Sequence, residues 1–151
     1  AADGEGVNWP EYKEFADVCV QALQSRGLGD RLVIQSFDTR ALNYIHGRYP
    51  QLRLSYLTDK SDTDFDSFMA ELEFIPDWLS PHHSVVDEDL VQKCHDKGMK
   101  IVPWTVDDSD ELRRLIDLRV DAIITNYPDR LLKLTRGYAE PAPGPIPERT
   151  H

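Results

Sequence analysis

The sequence predicts an α/β fold of parallel strand–helix units, amounting to half of a TIM-type (β/α)8 barrel. Short apolar segments alternate along the chain with longer segments of helical periodicity. The order strand then helix repeats four times behind one leading helix, and consecutive parallel strands need such helical crossovers. A complete barrel takes about 250 residues, and this chain has 151.

Helices are predicted where apolar residues recur at helical spacing behind a residue that starts a helix well. Proline suits a first turn, and aspartate suits the N-cap position, where its carboxylate accepts a backbone N–H. Glycine marks several of the predicted ends. The predicted helices begin at Pro10, behind Asp38, at Phe68, behind Asp87, at Asp110 and near Pro128, and they end near Gly27, at His46-Gly47, at Phe74, before Gly98, at Leu118 and at Leu134.

The predicted strands span residues 32–36, 52–57, 101–104 and 122–125, with an extended aromatic stretch at 75–81. The first of them is continuous in apolar character, as expected of a parallel strand that is covered on both faces. The leading helix is expected to bury one apolar face against this sheet. That face contains Phe15, Val18, Cys19, Ala22 and Leu23.

Composition limits the function without identifying it. The chain is 40% hydrophobic and 29% charged, which is ordinary for one soluble domain. A net charge of -10 argues against nucleic acid or an anionic membrane surface as the main partner. No apolar run is long enough for a membrane-spanning helix. Cys19 and Cys94 stand in helical patterns and are expected to be reduced, partly buried thiols.

Residues 1–135 are predicted to form one domain and residues 136–151 a proline-rich tail. Four prolines between positions 140 and 147 exclude a helix or a central strand there, so the tail is expected to be disordered or extended. A half-barrel alone exposes two edge strands and the apolar inner face of its sheet. The domain is therefore expected to pair with a missing N-terminal half, a second copy or another chain.

Candidate binding residues stand at the C-terminal ends of the predicted strands, where barrel enzymes place their sites. These residues are Ser36, Phe37, Trp104 and Asn126. Trp104 offers a rigid wall and one N–H donor, suited to holding a glycerol or an alcohol head group beside a phosphate. Alternatively, Trp104 caps the barrel core, while Ser36 and Asn126 satisfy backbone groups where strands turn into helices.

The adjacent residues His82 and His83 are predicted to be loop residues near the rim of this pocket. In an extended segment, successive side chains point to opposite sides and cannot easily hold one metal ion. His46 and His95 stand in the last turns of predicted helices, where a cation suits the helix dipole, so both are interpreted as structural.

Several motifs, in this order and spacing, resemble the C-terminal half of the glycerophosphodiester phosphodiesterase family over residues 10–134. Each motif is weak alone, but together they are a strong signal. They are Ile34-Gln35-Ser36-Phe37-Asp38, Tyr49-Pro50, Ser80-Pro81, Val86-Asp87-Glu88-Asp89-Leu90-Val91, His95 with Lys97-Gly98, Trp104-Thr105-Val106, and Ile123-Ile124-Thr125-Asn126-Tyr127-Pro128-Asp129.

The resemblance implies an enzyme that hydrolyses glycerophosphodiesters to sn-glycerol 3-phosphate and an alcohol with a divalent metal, magnesium or calcium. In this family the general acid and base are two histidines on early strands, one of them in a His-Arg-Gly motif, and the metal carboxylates lie on the second and fourth strands. None of these motifs occurs in this chain. The isolated chain is therefore predicted to bind on the substrate side of the pocket without turnover, with no catalytic or metal residue of its own.

The sequence departs from the family pattern at three places, which leave the pocket assignment unchanged, and two other interpretations stay open. The family often has asparagine at Asp107, glycine at Arg119, and glycine then isoleucine at Ala122-Ile123. Trp-Thr-Val-Asp with Asn-Tyr-Pro is also similar to phospholipase D proteins of the spider-toxin type, which share the barrel. The third interpretation is a non-catalytic half-barrel that dimerises through its open edges. The resemblance implies a bacterial periplasmic or cytoplasmic location, between which the sequence does not choose.

Overall fold

A computed structural model describes residues 11–61 and 64–136 of the chain. Within these residues, helices and parallel strands alternate as predicted up to the last two helices. No regular strand separates those two helices, so the strand predicted at 122–125 is not confirmed, whereas the stretch predicted only as extended at 75–81 contains a strand. The helices are α1 (Tyr12–Gln24), α2 (Thr39–Arg48), α3 (Phe65–Met69), α4 (Glu88–Asp96), α5 (Ser109–Asp117) and α6 (Pro128–Thr135), with short 3-10 turns at Gly29–Arg31 and His83–Val85. The strands are β1 (Val33–Ser36), β2 (Arg53–Thr58), β3 (Trp78–Pro81) and β4 (Lys100–Ile101).

The four strands form one sheet in the order β1-β2-β3-β4, and every pair is parallel. The segment at 121–124 continues the sheet beside β4 without being a regular strand. In this segment the N–H of Asp121 donates to the carbonyl of Ile101 at 3.1 Å, and the N–H of Ile124 donates to that of Pro103 at 2.9 Å. Sequential parallel strands with helical crossovers are the architecture of a (β/α) barrel, so the predicted fold class is confirmed.

Aspartate side chains begin the helices that follow the strands. The carboxylate of Asp38 accepts the N–H of Arg40 at 2.9 Å, and that of Asp87 accepts the N–H of Leu90 at 2.8 Å, so both predicted caps are confirmed. The cap of α5 is Asp108, and the helix begins at Ser109 instead of at the predicted start, Asp110. One oxygen of Asp108 accepts the N–H groups of both Asp110 and Glu111, which starts the helix one residue earlier.

The hydrophobic core lies between the sheet and the helices packed on its outer side. Residues from α2, α4 and α5 meet the outward side chains of β2, β3 and β4, and Val106 joins them from the loop behind β4. Full burial of one such side chain contributes about 1.5–3 kcal/mol. The fully buried large side chains are Val20, Leu42, Leu54, Phe68, Leu79, Val86, Leu90, Met99, Ile101, Val106, Leu112 and Leu115.

The buried face of α1 differs from the predicted one. Ala16 and Val20 are buried, whereas Phe15 and Val18 are 58% and 60% exposed. The helix is rotated because Asp17 accepts hydrogen bonds from two tyrosine hydroxyls that follow in the chain, at 3.0 and 2.7 Å. Those hydroxyls belong to Tyr44 and Tyr49 and turn a polar residue toward α2.

The sequence predicted that strand β1 is covered on both faces, and this prediction is wrong. Its residues are only partly buried, and Gln35 is exposed, because β1 is the edge strand and has β2 as its single neighbour. Helix α2 does not stop at Gly47 either. Gly47 lies inside the helix, which continues to Arg48. Helix α3 begins at Phe65, three residues before the predicted start, and ends at Met69.

Arg119, behind α5, adopts the left-handed conformation that favours glycine, with φ at 60°. It is the position where the family pattern often has glycine. The N–H of Arg119 still donates to the carbonyl of Ile116 at 2.9 Å, and that of Val120 donates to Leu115. The turn into the segment at 121–124 is therefore built with a side chain in a strained backbone conformation.

Three further predictions concern the cysteines, the membrane and the tail. Cys94 is fully buried and Cys19 is half-buried, and both are free thiols as predicted. Burial, with a smaller contribution from Asp121, raises the pKa of Cys94 to about 12, which keeps this thiol protonated and inert. Within the described residues, no helix is long and apolar enough to cross a membrane. The predicted tail at 136–151 lies outside the described residues except for Arg136.

Candidate functional site

The C-terminal ends of β2, β3 and the segment behind β4 are joined by backbone hydrogen bonds. His82 donates its N–H to the carbonyl of Thr58 at 3.1 Å. Trp104 donates its N–H to Pro81 at 3.1 Å, and His83 donates to the carbonyl of Trp104 at 3.0 Å. This edge is the one where parallel barrels bind their ligands. Trp104, one of the predicted site residues, is therefore held by backbone hydrogen bonds to the neighbouring strand.

Three aromatic rings meet at this edge and form the aromatic cluster, defined as Phe37, His82 and Trp104. The ring of Phe37 lies 5.7 Å from that of Trp104, at 88°, and Phe37 is 53% exposed. The ring of His82 lies 5.6 Å from that of Trp104, at 87°. Perpendicular aromatic packing at these distances is favourable. The cluster presents an apolar surface to solvent where sequence reasoning expected the pocket.

The indole N–H of Trp104 is engaged inside the protein. It donates to the backbone carbonyl of Ser80 at 2.9 Å, and the Ser80 hydroxyl in turn donates to the carbonyl of Val102 at 2.6 Å. Because Trp has a single donor, the expectation that Trp104 offers its N–H to a ligand is wrong. The hydrogen bond instead fixes the orientation of the ring, so Trp104 can act as a wall and not as a donor.

Ser36 and Asn126 are both bound to nearby groups of the chain. The Ser36 hydroxyl accepts the N–H of Asp38 at 3.0 Å, which orders the turn from β1 into α2. Asn126 donates its backbone N–H and its side-chain Nδ2 to the two carboxylate oxygens of Asp107, each at 2.9 Å. These hydrogen bonds lower the pKa of Asp107, with the Asn126 side chain as the largest cause. In the structure, Phe37 and Trp104 therefore contact each other, whereas Asn126 is bound to Asp107.

The side chains of His82 and His83 were predicted to point to opposite sides, as in an extended segment, and this prediction is wrong. Their ring centroids lie 4.4 Å apart, because the chain enters the 3-10 turn at His83 directly behind β3. The sequence predicted that His82 lies in a loop near the rim of the pocket, but it did not indicate the contact of His82 with Trp104. The available signal was its position directly behind the Ser80-Pro81 motif, at the end of a predicted strand.

A network of charged groups fastens this 3-10 turn to α5. Glu111 lies 2.8 Å from Nδ1 of His83 and accepts hydrogen bonds from Arg114 at 2.6 and 3.0 Å. Arg114 also donates to the carbonyls of Val86 and His83, at 2.7 and 3.0 Å. The Arg114 guanidinium, with help from His83 and against the effect of burial, lowers the pKa of Glu111 to about 2. Glu111 is therefore ionised near neutral pH and holds the turn in place.

A divalent metal is implied by the family resemblance, and its fit to this chain can be tested on the donor groups. Between residues 11 and 61 and between 64 and 136, no three histidine, cysteine, aspartate or glutamate side chains gather closely enough to hold a metal ion. Ca²⁺ takes several such oxygen ligands, whereas Mg²⁺ is commonly held by one or two carboxylates together with water and substrate phosphates. The described residues therefore form no multi-ligand site of the calcium type, and the expectation that the metal ligands lie outside this chain stays a prediction.

Comparisons with known proteins agree on one family. Residues 6–130 match the family model described as the glycerophosphoryl diester phosphodiesterase family. A glycerophosphodiester phosphodiesterase of Caldanaerobacter subterraneus is 27% identical over 125 residues, which cover 83% of this chain and 51% of that protein. One from Bacillus subtilis is 26% identical over 110 residues, covering 72% of this chain and 38% of that protein. The chain thus spans about half the length of these relatives, or less.

Solved structures show the same partial correspondence. A glycerophosphodiester phosphodiesterase from Parabacteroides distasonis is 28% identical with a TM-score of 0.72, and the match covers 87% of this chain and 55% of that one. A similar fold is found in a protein from Silicibacter pomeroyi, at 24% identity and a TM-score of 0.73, covering 82% of this chain and 44% of that one. Both correspond to about half of a longer barrel.

Proposed function

The chain belongs to the glycerophosphoryl diester phosphodiesterase family, and from that premise we propose that it supplies the substrate side of the pocket in such an enzyme. The reaction is the metal-dependent hydrolysis of a glycerophosphodiester to sn-glycerol 3-phosphate and an alcohol. Water adds to phosphorus, the bond to the alcohol oxygen breaks, and that oxygen takes up a proton. The observation that carries the proposal is the aromatic cluster at the C-terminal edge of the sheet.

The aromatic cluster suits the non-reacting part of such a substrate. Glycerol and small alcohol head groups carry CH₂ and CH₃ groups that pack favourably on aromatic rings. Trp104 is locked by its hydrogen bond to Ser80, and Phe37 leaves half of its surface open to solvent. A rigid wall of this kind positions a substrate without loss of side-chain freedom on binding. It does not by itself perform the chemistry.

The chemical groups for the reaction are proposed to come from outside this chain. Phosphodiester hydrolysis needs charge neutralisation at the phosphate and a proton for the leaving oxygen. A divalent metal, magnesium or calcium, would supply the first. The His-Arg-Gly motif of the family is not in this sequence. We therefore propose that the isolated chain binds substrate and does not turn it over.

Exposed apolar residues at both ends of the sheet support a partner that completes the barrel. Phe15 and Val18 lie on α1, which packs against α2 of the first strand–helix unit, while Tyr127 and Leu132 lie at α6, which packs against α5, and are 42% and 59% exposed. Apolar groups so placed are typical of interfaces. The partner proposed is an N-terminal half of the family, with a second copy of this chain as the alternative.

Fluorine NMR of the chain labelled with fluorotryptophan tests the substrate wall. The chain has three tryptophans, and a Trp104→Phe variant assigns the relevant signal. Addition of sn-glycerol 3-phosphate is expected to move the Trp104 resonance, because the indole ring contacts the ligand. The Trp78 resonance is expected to stay, since Trp78 lies at the N-terminal end of β3 against Lys100. A shift at Trp78 alone, or no shift at Trp104, contradicts the proposal.

A further inference from the structure

The side chain of His82 makes a hydrogen bond that determines which of its two nitrogens carries the proton. Its Nδ1 accepts the backbone N–H of Ser84 at 3.3 Å and lies 2.8 Å from the Ser84 hydroxyl oxygen. An imidazole nitrogen that accepts an N–H must present its lone pair. In the neutral ring the proton therefore resides on Nε2, and the hydroxyl of Ser84 also donates to Nδ1.

The Nε2–H of His82 is left with no partner among the residues that the structure describes. The His82 ring contacts the rings of both Trp104 and His83. His83 differs, because its Nδ1 is engaged by Glu111 at 2.8 Å. Since no buried side-chain nitrogen among the described residues lacks a partner, the unpaired Nε2–H faces solvent, where it is free to meet an acceptor on a ligand.

Within the aromatic cluster, His82 is the source of a usable donor. Phe37 has no polar atom, and the indole N–H of Trp104 is used by the carbonyl of Ser80. The backbone of His82 is fixed by its hydrogen bond to Thr58, and its ring by Ser84. The donor is consequently held in one position beside an apolar wall, at the edge where barrel enzymes bind phosphate esters.

We propose that the Nε2–H of His82 donates a hydrogen bond to a phosphate oxygen of the substrate. The inference rests on the proposed function and adds a substrate-binding residue to it. A hydrogen bond from N–H to an anionic oxygen is stronger than one to a neutral oxygen. His82 then sets the distance between the phosphate and the apolar part of the substrate that rests on Trp104.

Nitrogen NMR of the histidine side chains in the whole chain tests the premise and the contact together. The chain has five histidines, and the loss of one signal in His82→Phe assigns His82. His82 is expected to be in the Nε2–H tautomer. Addition of sn-glycerol 3-phosphate is expected to shift its Nε2–H signal, whereas glycerol alone leaves it unchanged. His83, engaged by Glu111, serves as the internal control.

Two variants separate the hydrogen bond from packing. His82→Phe keeps a ring against Trp104 and removes the donor, and it is expected to weaken sn-glycerol 3-phosphate binding about tenfold. His82→Gln loses the ring but places an amide N–H near the position of Nε2, and it is expected to recover most of that affinity. A purely structural role predicts the opposite order, with Phe tolerated better than Gln.

Each other outcome decides against the inference. An Nδ1–H tautomer overturns its premise. A Trp104 response without a His82 response leaves the proposed function in place and overturns the role of His82. An equal response of His82 to glycerol means that the donor meets a hydroxyl group and not the phosphate. If neither residue responds to sn-glycerol 3-phosphate, the substrate wall and the inference fail together.

Discussion

Mixing the chain with the N-terminal half of a related phosphodiesterase is expected to produce hydrolysis of glycerophosphocholine that neither half produces alone. General acid–base catalysis contributes about 10²–10⁴-fold, and a metal ion adds several kcal/mol of charge stabilisation. The gain on mixing should therefore be at least about 10⁴-fold. The measurement is the release of sn-glycerol 3-phosphate in the presence of magnesium or calcium, with a chelator as the control.

The other results of this mixing experiment have definite meanings. Turnover by the chain alone at enzymatic rates would contradict the proposal, because the chain would then hold its own acid–base pair. Activity in neither case, together with a stable symmetric dimer, would favour a half-barrel that serves assembly. Hydrolysis of lysophospholipid or sphingomyelin, with none of glycerophosphocholine, would favour the related phospholipase D class.

Glu111→Ala is expected to lower the free energy of unfolding by about 2 kcal/mol, measured by urea denaturation near neutral pH. The change removes the acceptor of two Arg114 hydrogen bonds and the partner of His83. It also leaves the partly buried guanidinium of Arg114 with fewer acceptors, although this guanidinium still holds the turn behind β3. The loss of stability should extend to the aromatic cluster, since His82 directly precedes this turn.

Asp110→Ala is the matched control for Glu111→Ala. Asp110 precedes Glu111 in the same helix and forms the same kind of pair with Arg113, at 2.7 Å, but its side chain is 91% exposed. Exposed pairs of this type contribute little, so Asp110→Ala should change stability by less than about 0.5 kcal/mol. Equal effects of the two variants would show that the Glu111 network does not stabilise the turn.

The low pKa of Glu111 gives this network a pH dependence of known sign. Its pKa is lowered from 4.5 to about 2, chiefly by Arg114. A lowered carboxyl pKa stabilises the folded state fully above pH 4.5, and the stabilisation is lost as the pH falls toward 2. When the pH is lowered from neutral to about 3, the free energy of unfolding should therefore fall more for the unsubstituted chain than for Glu111→Ala. Parallel stability curves would contradict this result.

The parts of the fold that depend on neighbouring residues could be predicted from the sequence. The caps at Asp38 and Asp87 bond to N–H groups two and three residues away, and the residue types alone indicate them. The strands β1 and β2 follow from the apolar segments at 32–36 and 52–57 in the same way, whereas β3 was predicted only as an extended stretch and the predicted strand at 122–125 is not a regular strand. The site residues Phe37 and Trp104 could be placed at one edge because parallel strands end on the same side.

The features that were missed depend on contacts between residues distant in the chain. The rotation of α1 follows from Asp17 meeting Tyr44 and Tyr49, about thirty positions later. The fate of the Trp104 N–H depends on the carbonyl of Ser80, in the neighbouring strand. No local pattern contains either contact. The relative orientation of the His82 and His83 rings was missed for a different reason, because a 3-10 turn begins at His83 in place of the expected extended segment.

The proposed role of Trp104 as a substrate wall is tested by kcat/KM of the mixed enzyme carrying Trp104→Ala. Removing about 100 Å² of apolar contact should lower kcat/KM about fiftyfold. Trp104→Phe keeps a ring and should retain most of the activity. Both variants should still associate with the N-terminal half. Unchanged kcat/KM in a folded, associated Trp104→Ala enzyme would contradict the claim.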